Sequence, residues 1–127
     1  MRTHTTLRTL DFDEALHHAG STGAFVDLRP IDEYLDVHIP GSIPLLYERG
    51  PGMASRARDC VPLDLELVID QPSGMTDDDV ANAAGALRGK GFAVPGKVVD
   101  AINRWARARS APASTEILEG PEQPDGT

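Results

Sequence analysis

Three scarcities bound this chain before any motif is considered. It holds one cysteine, Cys60, among 127 residues, which excludes an intrachain disulfide and fits a reducing, cytoplasmic setting. It has no apolar run near the roughly 20 residues a membrane helix needs. No apolar stretch lies between Arg2, Arg8 and Asp11, so a secretory signal is not expected either. Basic residues are few, 12 Lys and Arg against 20 Asp and Glu, for a formal charge of −8. That balance argues against nucleic acid or an anionic membrane as partner. What is present is ordinary for a globular domain, 40% hydrophobic and 25% charged, in a chain long enough for one domain with a real core.

Half of the net charge sits at one end. Residues 111–127 carry Glu116, Glu119, Glu122 and Asp125 with no base. Only Ile117 and Leu118 are bulky and apolar there, too little to order the segment. The expected organisation is a domain over residues 1–110 and a disordered acidic tail over 111–127.

Within the domain, short apolar runs alternate with helical patterns. Residues 7–12 read as a strand or extended lead-in, and 13–19 as a short helix. Residues 23–29 (GAFVDLR) read as a buried strand. Pro30 suits a first helical position, and Pro40-Gly41 ends that helix. Residues 42–47 form a strand whose Pro44 marks an edge. A Gly/Pro/Arg-containing connection occupies 48–63, and Leu65–Ile69 follows as the most buried strand. Thr76 and Asp79 suggest a cap for a helix with Val80, Ala83, Ala84 and Leu87 as its apolar face. Residues 97–99 are a last strand and 100–109 a last helix. Such alternation indicates a three-layer α/β domain, with a mainly parallel sheet and helices on both faces. In these sheets ligands bind beyond the carboxyl ends of the strands, which points to "DQPSGMTDDD" after Ile69.

The block "AFVDLRPIDEYLDVHIPGSIPL" resembles the first half of a rhodanese-like (sulfurtransferase) domain through Asp27, Arg29, Glu33, Tyr34, His38, Ile39, Pro40, Gly41 and Ser42. "ALRGKGF" and "KVVDAINRW" are similar to later family segments, with Asp100-Ala101 where Gly-Gly is usual. The resemblance spans about residues 7–109 and implies the rhodanese-like fold. Most of these residues read as architectural: Asp27 and Arg29 tie loops by charge-assisted bonds, Pro40-Gly41 makes a turn, and His38 fixes it.

The resemblance implies that chemistry would sit on a persulfide-forming cysteine at the end of the central strand. A loop of backbone N–H groups would cradle an anion there. Matched residue by residue, the cysteine falls on Asp70 and the loop on Gln71, Pro72, Ser73, Gly74 and Met75. Asp70 cannot accept a sulfane sulfur, Pro72 has no N–H to offer, and Asp77, Asp78 and Asp79 add negative charge where an anion is expected.

Other readings of the acidic stretch fare worse. Three consecutive aspartates fan by about 100° steps around a helix, so they do not converge on a metal, and acids suit a helix N-terminus anyway. A phosphoacceptor aspartate needs an acidic neighbour at the first strand end and a lysine beyond a later strand; Asp27 is followed by Leu28-Arg29, and Lys97 stands at the start of its strand, not beyond it. Cys60 is the alternative nucleophile, with Arg56 and Arg58 nearby to lower its pKa, but it belongs at the amino end of the central strand. His17 and His18 point apart and read as solvated. The expectation is therefore a non-catalytic binding or regulatory module for an unknown protein partner or small ligand, without cofactor or metal. An active sulfurtransferase or persulfide carrier using Cys60 is the alternative.

Overall fold

Four short aliphatic runs pair into one sheet, and each is too short to be stable unless its neighbours cover it. The computed structural model describes residues 7–50 and 52–110. In chain order the elements are α1 (Phe12–Ser21), β1 (Gly23–Asp27), α2 (Ile31–Asp36), β2 (Ile43–Pro44), α3 (Gly52–Cys60), β3 (Glu66–Gln71), α4 (Asp77–Gly89), β4 (Lys97–Val99) and α5 (Ala101–Ser110). The strands run in the order β2-β1-β3-β4 and every pair is parallel. The proposed tail, 111–127, lies outside the described residues.

Register and the two-residue period of strands decide the layers. Phe25 pairs with Val68, and Val26 with Ile69. Phe25, Val68 and Val98 pack on one face with Leu10, with Ala15 of α1 and with Ala101 of α5. Val26, Leu67 and Ile69 pack on the other face with Met53, Ala54 and Ala57 of α3 and Val80, Ala83, Ala84 and Leu87 of α4. Helices therefore cover both faces, as the alternation of elements implied. Val68 and Ile69 are completely buried, and each such side chain stabilises the fold by roughly 1.5–3 kcal/mol, an upper bound because the unfolded chain is not fully exposed.

The local boundaries differ from the sequence reading in instructive ways. Helix α1 runs for ten residues, longer than expected, because Asp11 and Glu14 form a reciprocal capping box that starts it at Phe12. Pro30 is the cap before α2, not its first helical residue. β2 keeps only two residues, at the sheet edge as Pro44 suggested. The expected connection over 48–63 contains α3. Its buried residues, Met53, Ala54 and Ala57, are mostly too small to show an apolar stripe beside three arginines and two glycines. β3 continues through Asp70 and Gln71, so both belong to the strand, whereas β4 covers Lys97–Val99 as the sequence indicated. Among the described residues no helix is long and apolar enough to cross a membrane.

Candidate functional site

At the carboxyl end of β3, consecutive side chains leave on opposite faces of the sheet. Gln71 turns toward the α4 side. Its amide nitrogen donates to the Met75 carbonyl at 2.8 Å and to Asp77 Oδ1 at 3.0 Å. Its amide oxygen accepts from Lys97 Nζ at 2.7 Å. Lys97 also donates to Asp77 Oδ1 at 2.9 Å, and its residue is only 8% exposed. These two donors, Lys97 first, hold the Asp77 carboxyl below the usual carboxylate range.

The same network closes the loop. Met75 N–H donates to the Pro72 carbonyl at 3.1 Å, and Gly74 has φ of +92°, a left-handed value that glycine reaches without strain. Residues 72–75 thus form a tight turn. Pro72 offers no N–H, and the Met75 N–H is already engaged. At the start of α4 the Thr76 hydroxyl accepts the Asp79 N–H, as expected, and the Asp79 carboxylate pairs with Arg49 at 3.1 Å. The acids after Ile69 do not form one negative cup: Asp77 and Asp79 each have a cation, and Asp70 lies on the other face. Long-range pairing, invisible in the local sequence, neutralises two acids of the run.

Asp70 turns toward α5. It is 5% exposed, and its Oδ1 accepts the N–H of Ala101, the first residue of α5, at 3.2 Å. A carboxyl at that position acts as a built-in anion for the helix start. Asp100, just before it, has φ of +58°; its own N–H donates to the Gln71 carbonyl at 3.0 Å, and its carboxylate accepts from Asn103 Nδ2 at 2.7 Å. Asp27 is the register partner of Asp70 on β1. It is bound by Arg29 through Nε at 2.9 Å and Nη2 at 2.7 Å, and the same Nη2 donates to the Val37 carbonyl. This pair raises the Arg29 pKa further, mainly through the Asp27 hydrogen bonds, and ties the end of β1 to the segment after α2, as the sequence suggested.

Between these groups lies a cavity of about 240 Å³, lined among others by Arg29, Glu33, Val37, Asp70, Ser73, Asp100 and Ile102. Burial pushes the Asp70 carboxyl up to about 7; the Ala101 N–H opposes that, Asp27 adds to it, Arg29 opposes and Asp100 adds. Asp70 therefore exchanges its proton near neutrality. The formal charge around the cavity is one cation, Arg29, against three acids, Glu33, Asp70 and Asp100. At about 4 Å each ionised acid would cost a bound anion roughly 1–4 kcal/mol, depending on screening. The lining is acidic in balance.

The remaining motif residues hold the turn that follows α2. His38 Nδ1 donates to the Tyr34 carbonyl at 2.7 Å, and the two rings stack at 3.9 Å. The Tyr34 hydroxyl donates to the Ser42 carbonyl, and Ser42 N–H to the Ile39 carbonyl across Pro40-Gly41, with Gly41 at φ +82°. The Ser42 hydroxyl is buried without a hydrogen-bond partner among the described residues. Glu33, grouped with the architectural residues in the sequence, instead lines the cavity. Cys60 is an exposed free thiol at the last residue of α3, joined by residues 61–65 to the amino end of β3 and so at the end opposite Asp70. Arg56 is engaged by Glu48 and the Leu46 carbonyl, and Arg58 by the Lys90 carbonyl. His18 is not simply solvated, because its Nδ1 meets Glu66 Oε1 at 2.8 Å.

The sequence reading missed Asp100, Ile102 and Asn103 as cavity residues and Lys97 as the clamp of the loop. The one signal was Asp100 standing where glycine was expected. Among the described residues no three His, Cys, Asp or Glu side chains are grouped to hold a metal ion. Comparison of the chain with protein-family models, with curated proteins and with solved structures finds no match.

Proposed function

We propose that this chain is a rhodanese-like domain without the family's cysteine, acting as a binding or regulatory module and not as a sulfurtransferase. The observation that carries the reading is the buried Asp70 carboxyl at the end of β3, beside a cavity, at the position that the resemblance matches to the nucleophile. Sulfur transfer needs a thiolate that attacks the sulfane sulfur and keeps it as a persulfide. A carboxylate has no such intermediate. Two features support the family assignment itself. The all-parallel sheet has helices on both faces, and Asp100, where the family usually has glycine, takes a left-handed φ that few L residues adopt. The turn over 72–75 and the acidic lining speak against an anion cradle.

The test is thiosulfate:cyanide turnover for wild type, Cys60→Ser and Asp70→Cys, with mass spectrometry for an added sulfur atom. All three are expected to be silent. Asp70→Cys should restore little, because Pro72, the engaged Met75 N–H and the nearby acids leave its thiol largely protonated. Wild-type turnover that disappears in Cys60→Ser would reject the reading and install Cys60 as the sulfur carrier.

A further inference from the structure

The cavity at Asp70 is chemically one-sided. Its one lining cation, Arg29, is already bound by Asp27 through two nitrogens and by the Val37 carbonyl. Its acids are less well served. Asp70 is 5% exposed, and only its Oδ1 has a partner among the described residues, the Ala101 N–H. No partner for its second oxygen is found among the described residues, and the residue lines the cavity. Glu33 is an exposed carboxylate at the rim, and Asp100 adds a third. A largely buried carboxyl with one oxygen unpartnered among the described residues, at the wall of a chamber that a molecule can enter, can still take a hydrogen-bond donor.

The donor that fits carries positive charge. A metal ion is the poorer candidate, since no three acidic, His or Cys side chains are grouped to ligate one among the described residues. An organic cation needs no such convergence: an ammonium or guanidinium spreads its donors over several acceptors. The cavity also offers Val37 and Ile102, against which methylenes can lie. From these groups the geometry points to a binding site for an aliphatic amine or guanidine, its cationic head on the free oxygen of Asp70 and its chain along Val37 and Ile102. This inference rests on the binding-module reading and names the ligand class of that module's site.

Binding has a proton signature. Asp70 faces Asp27 and Arg29 from β1 and the residues after it, Glu33 from α2 and Asp100 from the start of α5. Because burial holds its pKa near 7, a cation must displace its proton at lower pH. Affinity should therefore rise about tenfold between pH 6 and pH 8, with nearly one proton released per cation at pH 6.

The experiment is calorimetric titration of the full chain with agmatine, with propylamine and with a short lysine-containing peptide. Each is run at pH 6 and pH 8 in buffers of different ionisation enthalpy, and the acetylated peptide serves as control. Saturable binding that strengthens with pH, releases a proton and weakens tenfold or more in Asp70→Asn confirms the site. Glu33→Gln, at an exposed position, should weaken binding a few-fold without touching the fold. Binding of the free amines assigns a small-molecule ligand. Binding of the peptide alone, abolished by acetylation, assigns a basic side chain of a partner protein. No saturable binding of any of them, or binding that both variants leave unchanged, overturns the inference. Thiosulfate:cyanide turnover measured on the same samples separates this failure from that of the underlying reading, which fails only if a Cys60-dependent turnover appears.

Discussion

Asp70 and Gln71 are neighbours on one strand, yet they head two opposite kinds of polar site. Around Gln71 the account is closed: its oxygen has Lys97, its nitrogen has the Met75 carbonyl and Asp77, and Lys97 has both Gln71 and Asp77. Around Asp70 it stays open, with one oxygen on the Ala101 N–H, the other without a partner among the described residues, and the residue lining a cavity. Saturated buried networks rigidify what they join, and this one clamps the loop and the start of α4 to β4. An under-satisfied buried group is instead what a ligand can complete. One residue along a strand flips the face, and with it the role.

The comparison can be broken most severely from the support beneath Asp70. Asp27→Ala leaves the Arg29 guanidinium, 13% exposed as a side chain, without its anion, and removing one partner of a buried pair costs about 3–5 kcal/mol. Urea unfolding should show a loss of that order; a loss below about 1 kcal/mol would mean that Arg29 finds water or another acid and that the wall is not built on this pair.

Asp70→Asn sharpens the contrast in the opposite direction. The carboxyl pKa is raised from 3.8 to about 7 in the folded chain, so between those values the native state holds the proton more tightly than the unfolded chain does. This contribution is intact below about pH 4, declines as pH rises toward 7 and is gone above it. An amide keeps an oxygen for the Ala101 N–H and never ionises. The variant should match wild type near pH 4 and exceed it at pH 8, by up to about 4 kcal/mol at the ordinary 1.36 kcal/mol per pKa unit. Equal stability at pH 4 and pH 8 would show that Asp70 is not desolvated.

The saturated side gives the smallest effect of the three. Lys97→Met preserves the aliphatic stem but orphans the buried Gln71 oxygen, at a cost of about 1–3 kcal/mol. Amide exchange should quicken over residues 72–77, where the clamp acts, while α1 and β1 stay protected. Uniform acceleration across the chain would refute a local clamp.

The legibility of the site follows the range of its interactions. The Thr76 cap, the apolar face of α4 and the burial of Val26 and Val68 are local or periodic facts, and they are readable in the chain. A cavity beyond the end of β3 also agrees with the rule that parallel strands leave their carboxyl ends open. The helix α3 was hidden since alanine-based burial has little periodic signal against arginines and glycines. His18 with Glu66, and Lys97 with Gln71 and Asp77, join residues far apart in sequence, and no local pattern announces such pairs.

The sequence by itself determined the class of fold, the parallel sheet between helix layers, and the presence of a carboxyl, Asp70, at the end of the central strand. These rest on periodicity, on turn chemistry and on residue identity, all carried by short stretches of chain. Only the tertiary structure decided that Asp77 and Asp79 are neutralised while Asp70 is not. Ionisation and partnership depend on distance and burial, and both are set when β1, β4 and the start of α5 are brought to the end of β3.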